Sequence, residues 1–296
     1  SMTLPIPAPR AEGVTSTTPV PLYWREDGPA DAPPLVLLHG GPGASHEYLY
    51  PQMLALAETH RVITYDQRGG GRSRSLDSSP ITWRTQVEDL AAVLRELVRV
   101  ASTPTPAPVL AGYSWGALLA MLYAIEQRRQ PTWPPIDRLL LVSPAPITSA
   151  WRALFDAALS ARQLGPEIRA LREQLTASGL RERDPAAFRQ RSFELSVAGY
   201  FADVQRAESL TPFRVTARTQ QSVWDSLGTF DLRDELRAVR LPVLVVHGRE
   251  DPIPLESAVA VSEALNGRLV VLDACGHVPY VEQPEGLFNA ARRFLA

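Results

Sequence analysis

Short, continuous runs of apolar residues recur along the chain, and each ends in a turn signal. They occupy residues 35–38, 61–65, 108–111, 139–142, 243–246 and 269–272. Continuous runs are typical of parallel strands that are covered on both faces. Between them, helix-forming and helically spaced apolar residues predict helices over residues 82–100, 117–124, 255–265 and 284–295. This alternation predicts an α/β fold with a doubly wound, mostly parallel sheet that binds ligands at the carboxyl ends of its strands.

The alternation stops between residues 145 and 230, where no clear β-run occurs. Apolar residues recur there at helical spacing, for example Trp151, Phe155 and Leu159. Because this segment leaves the sheet at the carboxyl end of a predicted strand, we predict an inserted helical cap; the alternative is a second packing layer that never touches substrate. The predicted division of the chain is an N-terminal arm (1–19), a core (20–144 and 231–296) and the cap (145–230).

Composition narrows the functional classes. The 296 residues are 45% hydrophobic and 21% charged, with a formal net charge of -2, which is typical of a globular protein without a field that attracts nucleic acid or an anionic membrane. No apolar run approaches the roughly 18 residues of a membrane span. The start lacks the pattern of a signal peptide, and Cys275 is the sole cysteine. We expect a cytoplasmic protein that acts on a small molecule or short peptide, with neither nucleic acid nor membrane as partner.

The most informative motif is Gly-Tyr-Ser-Trp-Gly at residues 112–116. It fits the Gly-x-Ser-x-Gly pattern of a nucleophile elbow, in which a strained serine sits between a strand and a helix. The predicted strand before it and the predicted helix after it agree with that context. The motif predicts Ser114 as a catalytic nucleophile.

A serine hydroxyl needs a base within hydrogen-bond reach and a carboxylate that orients the base. His277 lies in a loop between the last predicted strand and the last helix, so we predict that it is the base, whereas His247 directly follows a strand and is interpreted as structural. Asp251, beyond the strand at 243–246, is the predicted acid, and its neighbour Glu250 is the alternative. Asp273 is interpreted as part of the loop before His277.

Two backbone donors are needed for the negative charge that develops on the substrate oxygen. The N–H of Trp115 is one candidate, and the N–H of Gly41 in the His-Gly-Gly-Pro-Gly segment 39–43 is the other. The glycine-rich segment 66–73 lacks the Gly-Lys-Ser/Thr ending of a phosphate-binding loop and is interpreted as a structural loop beside the site. No metal motif occurs, so we expect neither a metal nor a cofactor.

Together these segments resemble the α/β-hydrolase superfamily, and within it the proline iminopeptidase (prolyl aminopeptidase) group of serine peptidases. The motifs that carry the resemblance are His-Gly-Gly-Pro-Gly (39–43), Asp-Gln-Arg-Gly (66–69) with Gly-Arg-Ser (71–73), the serine motif (112–116), Gly-Arg-Glu-Asp (248–251) and Gly-His (276–277). They cover the core, at about residues 20–143 and 231–296. The resemblance implies cofactor-free hydrolysis through an acyl-enzyme, with an amino-terminal proline as one acyl group.

The cap departs from this pattern. Prolyl aminopeptidases hold the substrate amine with cap glutamates, and the position that matches one of them here is Val197, with Glu194, Asp203 and Glu208 as substitutes. A charged amine in a closed pocket without a carboxylate is costly. The predicted substrate contacts are Glu194, Tyr200, Phe201 and Trp224.

Three functions therefore remain open. The first is a prolyl aminopeptidase-like serine peptidase, and the second is a carboxylesterase or lactonase that acts on a less polar acyl substrate. The third is a ligand-binding homologue that has lost the chemistry, since a fold does not guarantee an activity.

Overall fold

The computed structural model describes residues 4–99 and 104–296, which form an eight-stranded sheet with helices on both faces. The strands are β1 (Ala11–Val14), β2 (Tyr23–Asp27), β3 (Pro34–Leu38), β4 (Arg61–Tyr65), β5 (Val109–Tyr113), β6 (Arg138–Val142), β7 (Val243–Gly248) and β8 (Arg268–Leu272). Their order is β1-β2-β4-β3-β5-β6-β7-β8. Strands β3 to β8 run parallel, while β1 and β2 are antiparallel. The predicted doubly wound, mostly parallel sheet is confirmed.

The helices are α1 (Trp83–Val93), α2 (Trp115–Arg129), α3 (Ser149–Gln163), α4 (Pro166–Ala177), α5 (Leu180–Arg183), α6 (Pro185–Val197), α7 (Ala217–Leu227), α8 (Arg233–Arg237), α9 (Leu255–Ala264), α10 (Pro279–Glu282) and α11 (Pro284–Leu295). A π-helical turn, Leu94–Val98, extends α1. Short 3₁₀ helices span His46–Leu49, Gln52–Glu58, Ala198–Tyr200 and Val204–Ser209. The Thr82 hydroxyl caps α1 by accepting a hydrogen bond from the Thr85 N–H. The predicted end of this helix at residue 100 falls outside the described residues.

The central strands are buried on both faces, which explains their continuous apolar runs. In β5, Leu110 belongs to a core cluster that α1 and α2 complete, whereas Val109 and Ala111 belong to a second cluster with α11. Successive side chains of a strand point to opposite faces, so each strand contributes to both clusters. A strand with two apolar environments needs no polar residue at alternate positions.

The two antiparallel strands were not predicted, and β1 lies inside the segment predicted as an arm. Glu12 and Val14 of β1 are exposed, and β2 carries Arg25 and Asp27 in an ion pair of 2.7 Å. The exposed positions of β1 and the buried charged residues of β2 leave neither strand with an apolar run. The arm prediction is therefore wrong for residues 11–14, which extend the sheet at its edge.

Residues 145–230, between β6 and β7, carry α3 to α7 and are bound to loops at the carboxyl ends of the strands. The Thr216 N–H donates to the Gly43 carbonyl at 2.9 Å, and the Thr219 hydroxyl donates to the Gly69 carbonyl at 2.9 Å. The His277 N–H donates to the Tyr200 carbonyl at 2.7 Å. These bonds hold the inserted helices over the edge of the sheet where ligands bind in such folds.

Gln67 connects three loops at that edge. Its side-chain amide donates to the His39 carbonyl at 2.9 Å, and its amide oxygen accepts from the Trp115 indole N–H at 2.8 Å. Its backbone N–H donates to Nε2 of His39 at 3.0 Å, and burial lowers the pKa of His39 to about 4, so that the imidazole is neutral. The loops after β3, β4 and β5 are thus held in one arrangement.

The glycine-rich loop 66–73 also holds the loops at this edge in place. The Asp66 carboxylate accepts hydrogen bonds from the backbone and ring of His46 and from the Arg72 N–H, at 2.8–2.9 Å. Arg68 forms a two-pronged ion pair with the buried Asp89. The Asp66 oxygens are therefore committed to neighbouring protein groups, which agrees with the interpretation as a structural loop.

Close approach of α2 to the sheet depends on two glycines of the serine motif. A Cβ on Gly116 would overlap the carbonyl oxygens of Leu38 and His39, and a Cβ on Gly112 would overlap the backbone of Gly116 and Ala117. Backbone atoms of this kind cannot move aside as the end of a flexible side chain can. The amino-terminal turn of α2 is therefore seated directly on the end of β3.

We expect Gly116→Ala to lower the free energy of unfolding by about 3 kcal/mol, because the added methyl group forces the backbone apart. Gly179→Ala is the matched control. Gly179 has a φ of 70°, but its added Cβ would approach only the flexible Arg183 side chain, so a cost of about 1 kcal/mol is expected there. Urea denaturation measures both, and equal costs would contradict the steric argument.

Candidate active site

A cavity of about 550 Å³ lies between the carboxyl ends of the strands and the inserted helices. The sheet side contributes Gly41, Tyr113, Ser114 and His277. The inserted segment contributes mainly apolar side chains, among them the aromatic residues Phe155, Phe193, Tyr200, Phe213 and Trp224. The cavity therefore brings the loops that follow β3, β5 and β8 together under an apolar roof.

Ser114 occupies the sharp turn between β5 and α2. Its φ of 56° and ψ of -117° lie in a region that residues with a side chain rarely adopt. The Ser114 N–H donates to the Val142 carbonyl at 3.0 Å, which fixes the turn to β6. The strained turn places the Ser114 hydroxyl at the cavity wall, as the motif predicts.

The Ser114 hydroxyl begins a continuous chain of hydrogen bonds. Its Oγ lies 3.0 Å from Nε2 of His277, and Nδ1 of His277 lies 2.9 Å from Oδ2 of Asp251. The other Asp251 oxygen accepts from the Ile253 N–H at 2.8 Å. An imidazole in this position can take the serine proton on Nε2 while its Nδ1–H donates to the carboxylate.

Asp251 is fully buried but remains a good acceptor. Burial raises the pKa of this carboxyl, whereas attraction to His277 and His247 and the hydrogen bonds from His277 and Ile253 lower it. The lowering effects outweigh burial, so the pKa of Asp251 lies below its ordinary value. The carboxylate is therefore ionised at neutral pH and can stabilise a positive charge on His277.

The structure separates the alternatives that the sequence left open. His247 donates from Nε2 to the Ile253 carbonyl at 2.9 Å, and its ring lies beside Asp251 without reaching Ser114. Glu250 is exposed, and Asp273 pairs with Arg249 at 2.5 Å on the surface. Of these acidic residues, Asp251 is the one that contacts the His277 ring.

Backbone contacts fix His277. Its N–H donates to the Tyr200 carbonyl, and its carbonyl accepts from the Tyr113 hydroxyl, each at 2.7 Å. The rings of Tyr200 and Phe155 lie 5.3 and 6.0 Å from the imidazole, measured between centroids. Since both aromatic residues belong to the inserted segment, that segment forms part of the setting of the base.

Sequence reasoning missed Glu282, which joins the His277 loop to the inserted helices. Its carboxylate accepts from the N–H groups of Gly276, Ala202 and Asp203 at 2.8–3.1 Å. Burial raises the pKa of Glu282, although these hydrogen bonds oppose the shift. Glu282 follows the Gly-His motif (276–277) and lies in α10, and its position in the sequence does not indicate that its carboxylate binds the loop before it.

Gly41 and Trp115, the expected oxyanion donors, flank Ser114. Gly41 lines the cavity with a φ of 119°, and a Cβ there would lie 2.9 Å from the Ala44 nitrogen. Trp115 is the first residue of α2, where an N–H has no acceptor within the helix. Gly41 thus lies at the cavity with Ser114, and the Trp115 N–H is one of the helix-terminal donors that the helix itself does not satisfy.

Two of the four predicted substrate contacts line the cavity, and two do not. Tyr200 and Trp224 are at its wall. Glu194 instead borders a separate groove, where its carboxylate accepts from Arg191 and Gln190 at 3.0 Å, and Phe201 is buried in the core cluster with Ala207 and Leu210. The predicted roles of Glu194 and Phe201 as substrate contacts are therefore wrong.

The rotation of α6 about its axis explains why Glu194 does not line the cavity. Phe193, Ser196 and Val197 share the face that lines the cavity, and Glu194 lies about 100° away from that face. Val197, the position matched to a substrate-binding glutamate, does face the cavity. Asp203 and Glu208 are absent from its lining within the described ranges 4–99 and 104–296.

Within residues 4–99 and 104–296, no group of three or more histidine, cysteine, aspartate and glutamate side chains is arranged to hold a metal ion. Across the same residues, none of the helices combines the length and the apolar character required to cross a bilayer.

Comparison with known proteins agrees with this geometry. The model of the alpha/beta hydrolase family matches residues 35–291. A proline iminopeptidase of Lactobacillus helveticus is 26% identical over 277 residues, which cover 89% of this chain and 90% of the relative. A proline iminopeptidase of Lactiplantibacillus plantarum is 27% identical over 294 residues, covering 93% and 96%.

Solved structures show the same fold. The proline iminopeptidase-related protein of Thermus thermophilus has a TM-score of 0.69 and 23% identity, with 96% of each chain covered. The enol-lactonase of Burkholderia xenovorans has a TM-score of 0.65 and 19% identity, covering 96% of this chain and 99% of the other. Because the family model matches most of this chain, the chain belongs to the alpha/beta hydrolase family.

Proposed function

We propose that this protein is a serine hydrolase that cleaves an ester or an amide through an acyl-enzyme. The observation that carries the proposal is the chain of hydrogen bonds from Ser114 through His277 to Asp251, which opens into a mostly apolar cavity. Removal of water from such a cavity strengthens every electrostatic interaction inside it. A homologue without chemistry would not need all three groups in contact.

The proposed reaction has two halves. In the first, Ser114 Oγ attacks the substrate carbonyl while Nε2 of His277 takes its proton, and the N–H groups of Gly41 and Trp115 hold the oxyanion. His277 then gives the proton to the leaving alcohol or amine. In the second half, water attacks the acyl-enzyme while His277 takes its proton, and His277 returns that proton to Ser114 Oγ as the bond to the acyl group breaks and the acid product leaves. Asp251 stabilises the imidazolium in both halves.

The substrate class rests on two lines of support. The relatives named proline iminopeptidases favour a prolyl aminopeptidase-like activity on small or short peptide substrates. Val197, in place of a carboxylate, favours the second candidate, a carboxylesterase or lactonase on a less polar acyl group. The proposed location is the cytoplasm, on the sequence argument from the single cysteine.

Ser114→Ala is expected to abolish labelling by a fluorophosphonate probe and to reduce ester hydrolysis by at least about a thousand-fold, because no other hydroxyl among the described residues hydrogen-bonds to the imidazole of His277. The control is Ser143→Ala, at a buried serine that also has a positive φ, 47°, and that follows β6. Gel fluorescence and an ester assay measure both. Undiminished labelling of Ser114→Ala would remove the proposal.

Asp251→Asn is expected to lower kcat by roughly a hundred- to ten-thousand-fold, because the amide no longer holds His277 in the required tautomer or stabilises its charge. Glu250→Gln is the matched control, since this neighbouring acid is exposed. Steady-state kinetics on one ester decides between them. A large loss in Glu250→Gln with none in Asp251→Asn would reverse the assignment.

The substrate candidates separate in one panel. With Val197 at the cavity wall, we expect short acyl p-nitrophenyl esters to be hydrolysed and proline p-nitroanilide not to be hydrolysed detectably, because an ammonium beside Val197 lacks a carboxylate partner at that position. The panel is run on the wild type beside Ser114→Ala to subtract background hydrolysis. Comparable turnover of the proline anilide would instead support the aminopeptidase candidate.

A further inference from the structure

Arg152 introduces a partly buried positive charge into the wall of the cavity. It lies on α3, one turn before Asp156, and both residues line the cavity. Its guanidinium carbon lies 3.4 Å from the centroid of the Trp224 ring. The Trp224 ring in turn packs edge-on against Trp115, at 5.4 Å between centroids, so one indole separates Arg152 from the residue that follows Ser114.

The guanidinium has unused hydrogen-bonding capacity. Nη1 of Arg152 is buried, and within the described residues it has no hydrogen-bond partner. The contact with Asp156 runs from Nε at 3.6 Å, which is a loose ion pair. Burial lowers the pKa of Arg152, but an arginine keeps its charge. A buried N–H of a cation without an acceptor is an unfavourable arrangement that an anionic ligand would relieve.

We propose that the substrate of this hydrolase carries a carboxylate remote from the bond that is cleaved, and that Arg152 binds it. The inference rests on the proposed function, because it places the reacting carbonyl at Ser114. The Trp224 face holds the guanidinium plane in position, and Phe155 and Tyr200 provide an apolar wall for the part of the substrate between its two ends. Arg152 is then a specificity-determining residue rather than part of the proton transfer.

The charges of the cavity favour an anion over an amine. Asp156 is the acidic partner on the same helix, but its side chain is 58% exposed, against 27% for Arg152. A substrate ammonium near Asp156 would lie beside the guanidinium and would be repelled by it. Val197 offers no compensating carboxylate. Asp156 and Asp225 balance the charge of Arg152, but the guanidinium keeps an unsatisfied donor, which favours a carboxylate over an ammonium at this wall.

Binding is tested first, on Ser114→Ala, which cannot turn the ligand over. Calorimetry compares glutarate monomethyl ester with methyl pentanoate and with a trimethylammonium ester of the same length. We expect the carboxylate ester to bind about 10- to 100-fold more tightly than the neutral one, as expected for a charged hydrogen bond. Equal affinities, or tighter binding of the ammonium ester, would overturn the proposal before any variant of Arg152 is made.

Variants then locate the contact. Adding Arg152→Met to Ser114→Ala should remove the preference for the carboxylate ester and leave the affinity for methyl pentanoate within about two-fold, because only the charge contact is lost. Arg233→Met is the matched control, since Arg233 packs on Trp151 outside the cavity. Asp156→Asn should keep the preference. A preference that survives Arg152→Met would also overturn the proposal.

The catalytic arm separates this inference from the proposed function. Wild type and Arg152→Met are compared on p-nitrophenyl esters of glutarate and pentanoate, and the expected change is an about 10- to 100-fold lower kcat/KM for the glutarate ester alone. If ester turnover depends on Ser114 but is unchanged by Arg152→Met, the inference about Arg152 is overturned and the proposed hydrolase function stands. If the carboxylate ester binds more tightly but no turnover depends on Ser114, the inference about binding stands and the proposed hydrolase function is overturned.

Discussion

The site depends on how closely the first turn of α2 approaches the end of β3. Gly112 and Gly116 leave no room for a Cβ there, so the backbone of the helix lies against the backbone of the strand. That contact forces Ser114 into its positive φ and directs its side chain away from the sheet. It also brings the Trp115 N–H and the loop that holds Gly41 to the same point. A larger residue at either glycine would separate the nucleophile candidate from the donors it needs.

Buried polar groups hold this arrangement from beneath. Gln67 joins His39 and Trp115, and Asp66 joins His46 to the turn at Arg72. Each of these groups is satisfied by a neighbour, so any movement of one loop would leave a buried donor or acceptor unpaired, which costs about 1–3 kcal/mol. The loops after β3, β4 and β5 therefore behave as one rigid support. The glycine-rich loop 66–73, whose composition resembles that of a phosphate-binding loop, supports the neighbouring loops structurally.

Sequence was informative wherever one physical constraint acts alone. Strands buried on both faces must be apolar throughout, and a serine turn against a strand must be flanked by glycines, so six strands and the residues around Ser114 were predictable. Two constraints act together in β1 and β2: alternate residues of β1 face water at the edge, and β2 buries the ion pair of Arg25 with Asp27, so neither strand shows an apolar run. In α6 the sequence predicted a helix but not its rotation, so Glu194 was assigned to the cavity that Val197 occupies. Arg152 was missed because its significance comes from the ring of Trp224 and from a missing partner among the described residues, which are properties of the folded chain.

The residues proposed to carry out the reaction and the residues proposed to select the substrate lie in different parts of the fold. The groups around Ser114 are attached to the sheet, while the residues proposed to select the substrate, Arg152, Val197 and Trp224, are on the inserted helices. The insert is joined to the core by backbone bonds, from the Thr216 N–H to Gly43 and from the His277 N–H to Tyr200, and by side chains that do not line the cavity, such as Thr219 and Glu282. Backbone bonds of this kind do not depend on the identity of the side chains that face the cavity. The charge of the cavity can therefore differ between members of the family while the position of the base stays the same, which is why a resemblance in the core motifs does not determine the substrate.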